Sequence, residues 1–129
     1  MTPKAIDHWL AMAASKDYAG LDRLLAEEVV FISPVVHSPQ IGKAISAKYL
    51  SSAMRLLGNS SFRYVEMWFS KRSAVLEFET ELAGLVVNGV DIIHWNEEDK
   101  IISFKVMVRP LKAINALHAA MAQALQASG

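Results

Sequence analysis

From Phe62 onward, apolar and polar residues alternate with a period of two, the mark of strands that bury one face. The pattern predicts a strand over Phe62–Phe69, a turn at 70–73, a second strand over Ala74–Leu85 and a bend at 86–89. A long hairpin follows from Gly89 to Pro110, its arms joined by a polar turn at 96–100, and Pro110 forbids a longer ladder. Strands this close in sequence pair antiparallel. Leu76, Phe78, Thr80 and Leu82 alternate with Glu77, Glu79 and Glu81, and Phe104, Val106 and Val108 alternate with Lys105, Met107 and Arg109. One sheet face is therefore apolar and the other charged. Tyr64 shares a side with Phe62 and Trp68, and Asp91 falls on the apolar side of its strand with Ile93 and Trp95. A lone acid among such neighbours needs a partner or a purpose.

The first half of the chain has helical spacing instead. Thr2 and Pro3 mark a helix start, with Thr2 placed to cap and Pro3 in the first turn, and Ile6, Trp9, Leu10 and Ala13 recur on one face. After Ser15-Lys16, Asp17 is placed to cap a second helix with the stripe Tyr18, Leu21, Leu24 and Leu25, so the two form a helical hairpin. Glu28–Ser33 reads as a short strand, and the proline-bounded segment 33–39 leaves it as a loop. Gly42 precedes a third helix, with Ile45, Tyr49, Ser52, Ala53 and Leu56 on one face and Leu50, Met54 and Leu57 widening the stripe. Gly58 ends it, as a residue that tolerates positive φ. A fourth helix after Pro110 carries Leu111, Ile114, Leu117, Met121 and Leu125, and its docking place is open.

Composition narrows the classes of function. The 129 residues suit one domain, 1–129, with one core, and 53% hydrophobic residues suffice to fill it. Thirteen basic and thirteen acidic side chains cancel, which argues against nucleic acid or an acidic membrane surface as partner. There is no cysteine, hence no disulfide, thiolate zinc site or thiol catalysis. No signal-like start or membrane-length apolar run is evident, so a soluble, cytoplasmic protein is expected. The four histidines show no paired spacing with carboxylates, and neither metal nor cofactor is expected.

The candidate chemistry is sparse. Burial of Asp91 favours its neutral, hydrogen-bond-donating form, the structural alternative being an acid bonded to Trp9, Tyr49 or a backbone amide. His37, in the proline-bounded loop, is the available general base. Trp9, Ser33, Tyr49, Tyr64, Phe78 and Phe104 complete the candidate ligand-binding set, although aromatic residues on such stripes also serve simply as core.

The order helix, helix, strand, helix and antiparallel meander is carried by three segments: Asp17-Tyr-Ala-Gly-Leu-Asp-Arg-Leu-Leu-Ala, Ser33-Pro…Pro39-Gln-Ile-Gly-Lys and Val90-Asp-Ile-Ile-His-Trp-Asn-Glu-Glu-Asp-Lys-Ile. It resembles the α+β, cone-shaped fold shared by nuclear transport factor 2, ketosteroid isomerases, limonene epoxide hydrolases and SnoaL-like polyketide cyclases. Val106-Met-Val-Arg-Pro-Leu is similar to the SnoaL-like bacterial members. The resemblance implies a curved sheet around an apolar cavity that holds an apolar small molecule, and a homodimer through the convex sheet face. Against the ketosteroid isomerases, the protonated Asp of the family falls on Asp91, its Tyr on Trp9 and its general base on Ser33. One of three roles survives, so isomerisation by that route is not expected. An epoxide hydrolase triad is not evident, because Glu77, Glu79, Glu81 and Arg109 have the opposite strand parity.

Three functions stay open: a metal-free acid–base enzyme of isomerase, cyclase or hydrolase type acting on an apolar carbonyl compound through Asp91 and His37, a non-catalytic binder of an apolar ligand, and a dimer-forming interaction domain.

Overall fold

The structure, a computed structural model, describes residues 1–127. Helix α1 (Lys4–Ser15) leads through a 3-10 turn (Tyr18–Gly20) into a one-turn helix α2 (Leu21–Leu24). Strand β1 (Leu25–Ile32), the short β2 (Gln40–Ile41) and helix α3 (Lys43–Leu57) follow. The meander is β3 (Arg63–Phe69), β4 (Ser73–Leu82), β5 (Leu85–Trp95) and β6 (Ile101–Arg109), and helix α4 (Leu111–Ala127) comes last. All six strands form one curved sheet in the order β2-β1-β6-β5-β4-β3, antiparallel except for the parallel pair β1 and β6.

The alternation sorts the two faces as the sequence indicates. Leu76, Phe78 and Thr80 of β4, Asp91, Ile93 and Trp95 of β5, and Phe104 and Val106 of β6 are buried on the concave face, where Ile6, Trp9 and Leu50 of the helices meet them. Removing this apolar surface from water is the main drive for wrapping the sheet around α1 and α3.

Several local expectations are corrected. The second helix is a single turn, because Leu25 instead opens β1 opposite Ile101 and, with Val29 and Phe31, packs into the sheet core. Neither Thr2 nor Asp17 caps a helix: Pro3 is the N-cap of α1, and no side-chain cap bond forms at Asp17. The turn between β4 and β5 is Ala83-Gly84, at φ 53° and 77°, so Val86–Gly89 is strand and not bend. Helix α3 buries Leu50, Ser52 and Leu57 of the expected stripe together with Ser46, which was not expected, and leaves Ile45 and Tyr49 only half-buried. Gly58 closes α3 at φ −79°, without positive φ; a Cβ there would lie 2.6 Å from the Met54 carbonyl oxygen. In β3 an extra residue between Tyr64 and Glu66 shifts the register, so Tyr64 opposes Phe78 while Met67 opposes Leu76. Trp68 is thereby turned to the outer side and left 48% exposed, off the face of Tyr64.

Helix α4 packs on α3 and on β4, β5 and β6, burying Ala113, Leu117 and Met121 while Leu111 stays exposed. The end of α3 is tied to the sheet by Thr80, whose hydroxyl donates to the Leu57 carbonyl at 2.9 Å and lies 3.2 Å from Asn59 Oδ1. Thr80 is buried, so Thr80→Val keeps the shape and removes the partner of a helix-terminal carbonyl. A loss of about 1–2 kcal/mol in urea unfolding is expected, and an unchanged midpoint would show that the bond contributes nothing net.

Candidate small-molecule site

A cavity of about 370 Å³ lies between the concave sheet face and the helices α1 and α3. Trp9 from α1, Tyr64 from β3, Phe78 from β4, Asp91 from β5 and Phe104 from β6 all line it. Trp9 packs on Phe104 with ring centroids 4.7 Å apart, and Phe62 stacks on Phe78 at 5.3 Å while meeting the edge of Tyr64 at 5.0 Å. These rings make a stiff apolar wall. Lys16 and Arg63 also line the cavity; Lys16 ends α1 in a left-handed conformation, and Arg63 is paired with Glu79 on the outside.

A chain of hydrogen bonds runs through this wall. The indole Nε1–H of Trp9 donates to Tyr64 Oη at 2.9 Å, and the Tyr64 hydroxyl donates to Asp91 Oδ2 at 2.6 Å. Asp91 is only 6% exposed, and no buried side-chain polar atom among the described residues lacks a partner. Its other oxygen, Oδ1, has no protein partner among the described residues and is not among the fully buried atoms, so it is the oxygen open to the cavity that Asp91 lines. Burial pushes the Asp91 carboxyl up to about 7, against a smaller opposing pull from the Tyr64 hydrogen bond. Burial likewise raises Tyr64 well above the usual phenol value, reinforced by the neighbouring Asp91 carboxylate. Tyr64 therefore stays a neutral donor and Asp91 changes charge near neutrality.

The structure brings together Trp9, Tyr64, Phe78, Asp91 and Phe104, and leaves Ser33, His37 and Tyr49 outside the cavity lining. His37, the general base expected from the sequence, is kept from the cavity by the sheet order. Its loop leads into β2, which pairs back on β1 at one edge, whereas Tyr64 lies on β3 at the opposite edge, and His37 is exposed. Ser33, though buried, uses its hydroxyl within that loop, accepting the Val35 N–H at 3.1 Å. Tyr49 misses the cavity because α3 presents Leu50, Ala53, Met54 and Leu57 to it instead. The partner of Asp91 is Tyr64, with Trp9 one bond further away. Only the pairing Tyr64↔Phe78 and Leu76↔Asp91 discloses it, since the two polar side chains meet diagonally across β4.

Comparison with known proteins matches residues 6–104 to the SnoaL-like domain. The chain belongs to the SnoaL-like family. This SnoaL-like protein is similar to a crystal structure described as a steroid delta-isomerase from Pseudomonas aeruginosa, with 31% identity, TM-score 0.91, and coverage of 96% of this chain and 90% of that one. An uncharacterised protein with a cystatin-like fold from Silicibacter pomeroyi is also 31% identical, at TM-score 0.86 over 93% of this chain and 84% of its own. An NTF2-like protein from Mesorhizobium loti, 18% identical at TM-score 0.70 over 83% of this chain and 89% of its own, shares the fold. No curated protein matches the SnoaL-like chain. No helix among its described residues is long and apolar enough to cross a membrane.

Proposed function

We propose that the cavity binds an apolar, carbonyl-bearing small molecule and that Asp91, neutral at its cavity-facing oxygen, donates a hydrogen bond to the carbonyl, as the acid of an isomerase- or cyclase-type reaction in which solvent water takes the proton from the neighbouring carbon. The observation that carries this reading is the placement of Asp91: one oxygen is held by Tyr64 and the other faces a largely apolar space. A volume of about 370 Å³ lies at the small end of the usual range for ligand pockets. A proton held to about pH 7 is available to an acceptor and can also be surrendered, which is what proton-transfer catalysis near neutrality requires. A hydrogen bond aimed at a carbonyl oxygen strengthens as negative charge develops there. The 31% identity to a protein described as a steroid delta-isomerase supports the same class of substrate.

A non-catalytic binder is the second reading. It is favoured by the lining itself: Asp91 is the only carboxyl among the described lining residues, which include no histidine. Incubation with a β,γ-unsaturated cyclic ketone in deuterium oxide separates the two. Movement of the double bond with deuterium uptake, lost in Asp91→Asn, is expected for the enzyme, whereas saturable binding without exchange would favour the binder.

Both readings require a neutral Asp91. Fluorenone, an apolar tricyclic ketone, is therefore expected to bind best below pH 7 and to lose about tenfold in affinity per pH unit well above it, as the donor ionises. In Asp91→Asn the affinity should be flat from pH 5 to 9. Fluorescence or calorimetric titration checks this, and a flat profile in the parent protein would refute the neutral-donor role.

A further inference from the structure

We infer that Trp9 is a positioning residue that gives the hydrogen-bond chain a single direction and so places the proton of Asp91 on the oxygen facing the cavity, making the site selective for ligands that accept a hydrogen bond over isosteres that donate one. The inference rests on the proposed role of Asp91 and adds what sets its polarity.

An indole nitrogen can only donate. A phenolic oxygen, conjugated with its ring, offers in the ring plane one direction for its own hydrogen and one for an incoming donor. Trp9 Nε1–H, 2.9 Å from Tyr64 Oη, takes the accepting direction. The Tyr64 hydrogen is left to point along the 2.6 Å bond to Asp91 Oδ2. A hydrogen on Oδ2 could not lie along that short line, and the carbonyl oxygen of a neutral carboxyl accepts more strongly than its hydroxyl oxygen, so Oδ2, the oxygen that accepts from Tyr64, is the carbonyl oxygen. The proton then sits on Oδ1, the oxygen without a protein partner among the described residues, and there it faces the ligand.

A hydroxyl or an imidazole in place of Trp9 would not impose this order, since either can donate or accept and the chain could run in both directions. Packing holds the donor in place: Trp9 is 1% exposed, and its ring lies against Phe104 at 4.7 Å. Trp9 thus acts on the ligand through two intermediates. A purely structural Trp9 would affect stability and affinity in general, but not the choice between a carbonyl and an N–H ligand of equal shape.

The test uses fluorenone and carbazole, planar tricycles of similar size that present a carbonyl oxygen and an N–H at the same place. At pH 6 the parent protein is expected to prefer fluorenone by roughly tenfold, and Asp91→Ala to abolish the preference. Trp9→Phe keeps a ring on Phe104 and removes the donor, and the preference should fall at least about threefold, with a smaller change in the mean affinity for the two ligands. Tyr64→Phe breaks the chain at the next link and should lower the preference in the same way, so it decides the matter if Trp9→Phe does not fold. A preference unchanged in either folded variant overturns the role of Trp9, while the parent protein binding both ligands equally would instead overturn the donor role of Asp91.

Discussion

Asp91→Asn is expected to be more stable than the parent protein at pH 8, by up to about 4 kcal/mol, the free energy that corresponds to raising a carboxyl from 3.8 to about 7. Below pH 3.8 the carboxyl is protonated in both the folded and unfolded chains and contributes no difference. Between 3.8 and about 7 the unfolded chain releases the proton while the folded chain retains it, so rising pH favours unfolding. Above 7 the folded chain holds a buried carboxylate and the full cost is present. Asparagine avoids that cost, and its carbonyl oxygen still accepts from Tyr64. The check is the difference between the urea stabilities of the two proteins measured from pH 3 to 9. It should grow through the window 4–7 and level off above it. A difference independent of pH would mean that Asp91 does not titrate anomalously. A cavity acid that costs stability at the pH where it is ready to react is the pattern expected of a site kept for function.

Gly89→Ala should be the most damaging single-methyl change in the sheet, costing about 3 kcal/mol. A Cβ at position 89 would lie 2.5 Å from Phe78 Cζ and 2.6 Å from the backbone oxygen of Met107. Neither neighbour yields easily: Phe78 is 1% exposed and stacked on Phe62, and Met107 is held in the ladder of β5 and β6. The damage should reach the cavity too, because Phe78 is one of its walls and Asp91 stands two residues along the same strand. Thermal unfolding of the variant measures the cost. The double variant Gly89→Ala with Phe78→Leu should recover part of it, as expected when two changes share one contact. If the double variant is as unstable as the sum of the singles, the clash is with the backbone alone.

Much of this architecture is legible before any coordinates. Alternation over 76–82 and 104–109 specifies the faces of β4 and β6 because one side is dry, and the polar run 96–100 fixes the hairpin that presents Asp91. The same reasoning places Trp9, Phe78 and Phe104 on inward faces, and all three line the cavity. What stays hidden depends on spatial register. Gly89 looks like a turn residue in one dimension; in three it is the gap into which the Phe78 ring fits. Tyr64 and Trp68 share a parity in the chain, which the extra residue in β3 undoes. His37 is near Ser33 in sequence, yet β2 carries its loop to the far edge of the sheet. Ser46 of α3 is missed because a polar residue turns inward: its hydroxyl donates to the Gln40 carbonyl at 2.9 Å, a partner no helical periodicity reveals.

The irregularity in β3 has one more effect. This strand is one border of the sheet, opposite β2, and it carries Val65, Met67, Trp68 and Phe69, all more than a third exposed. A straight border with such side chains would invite a foreign strand to zip onto it and seed aggregates. With one residue too many, its outward N–H and C=O groups fall out of step near Val65, so an incoming strand finds no continuous ladder to extend.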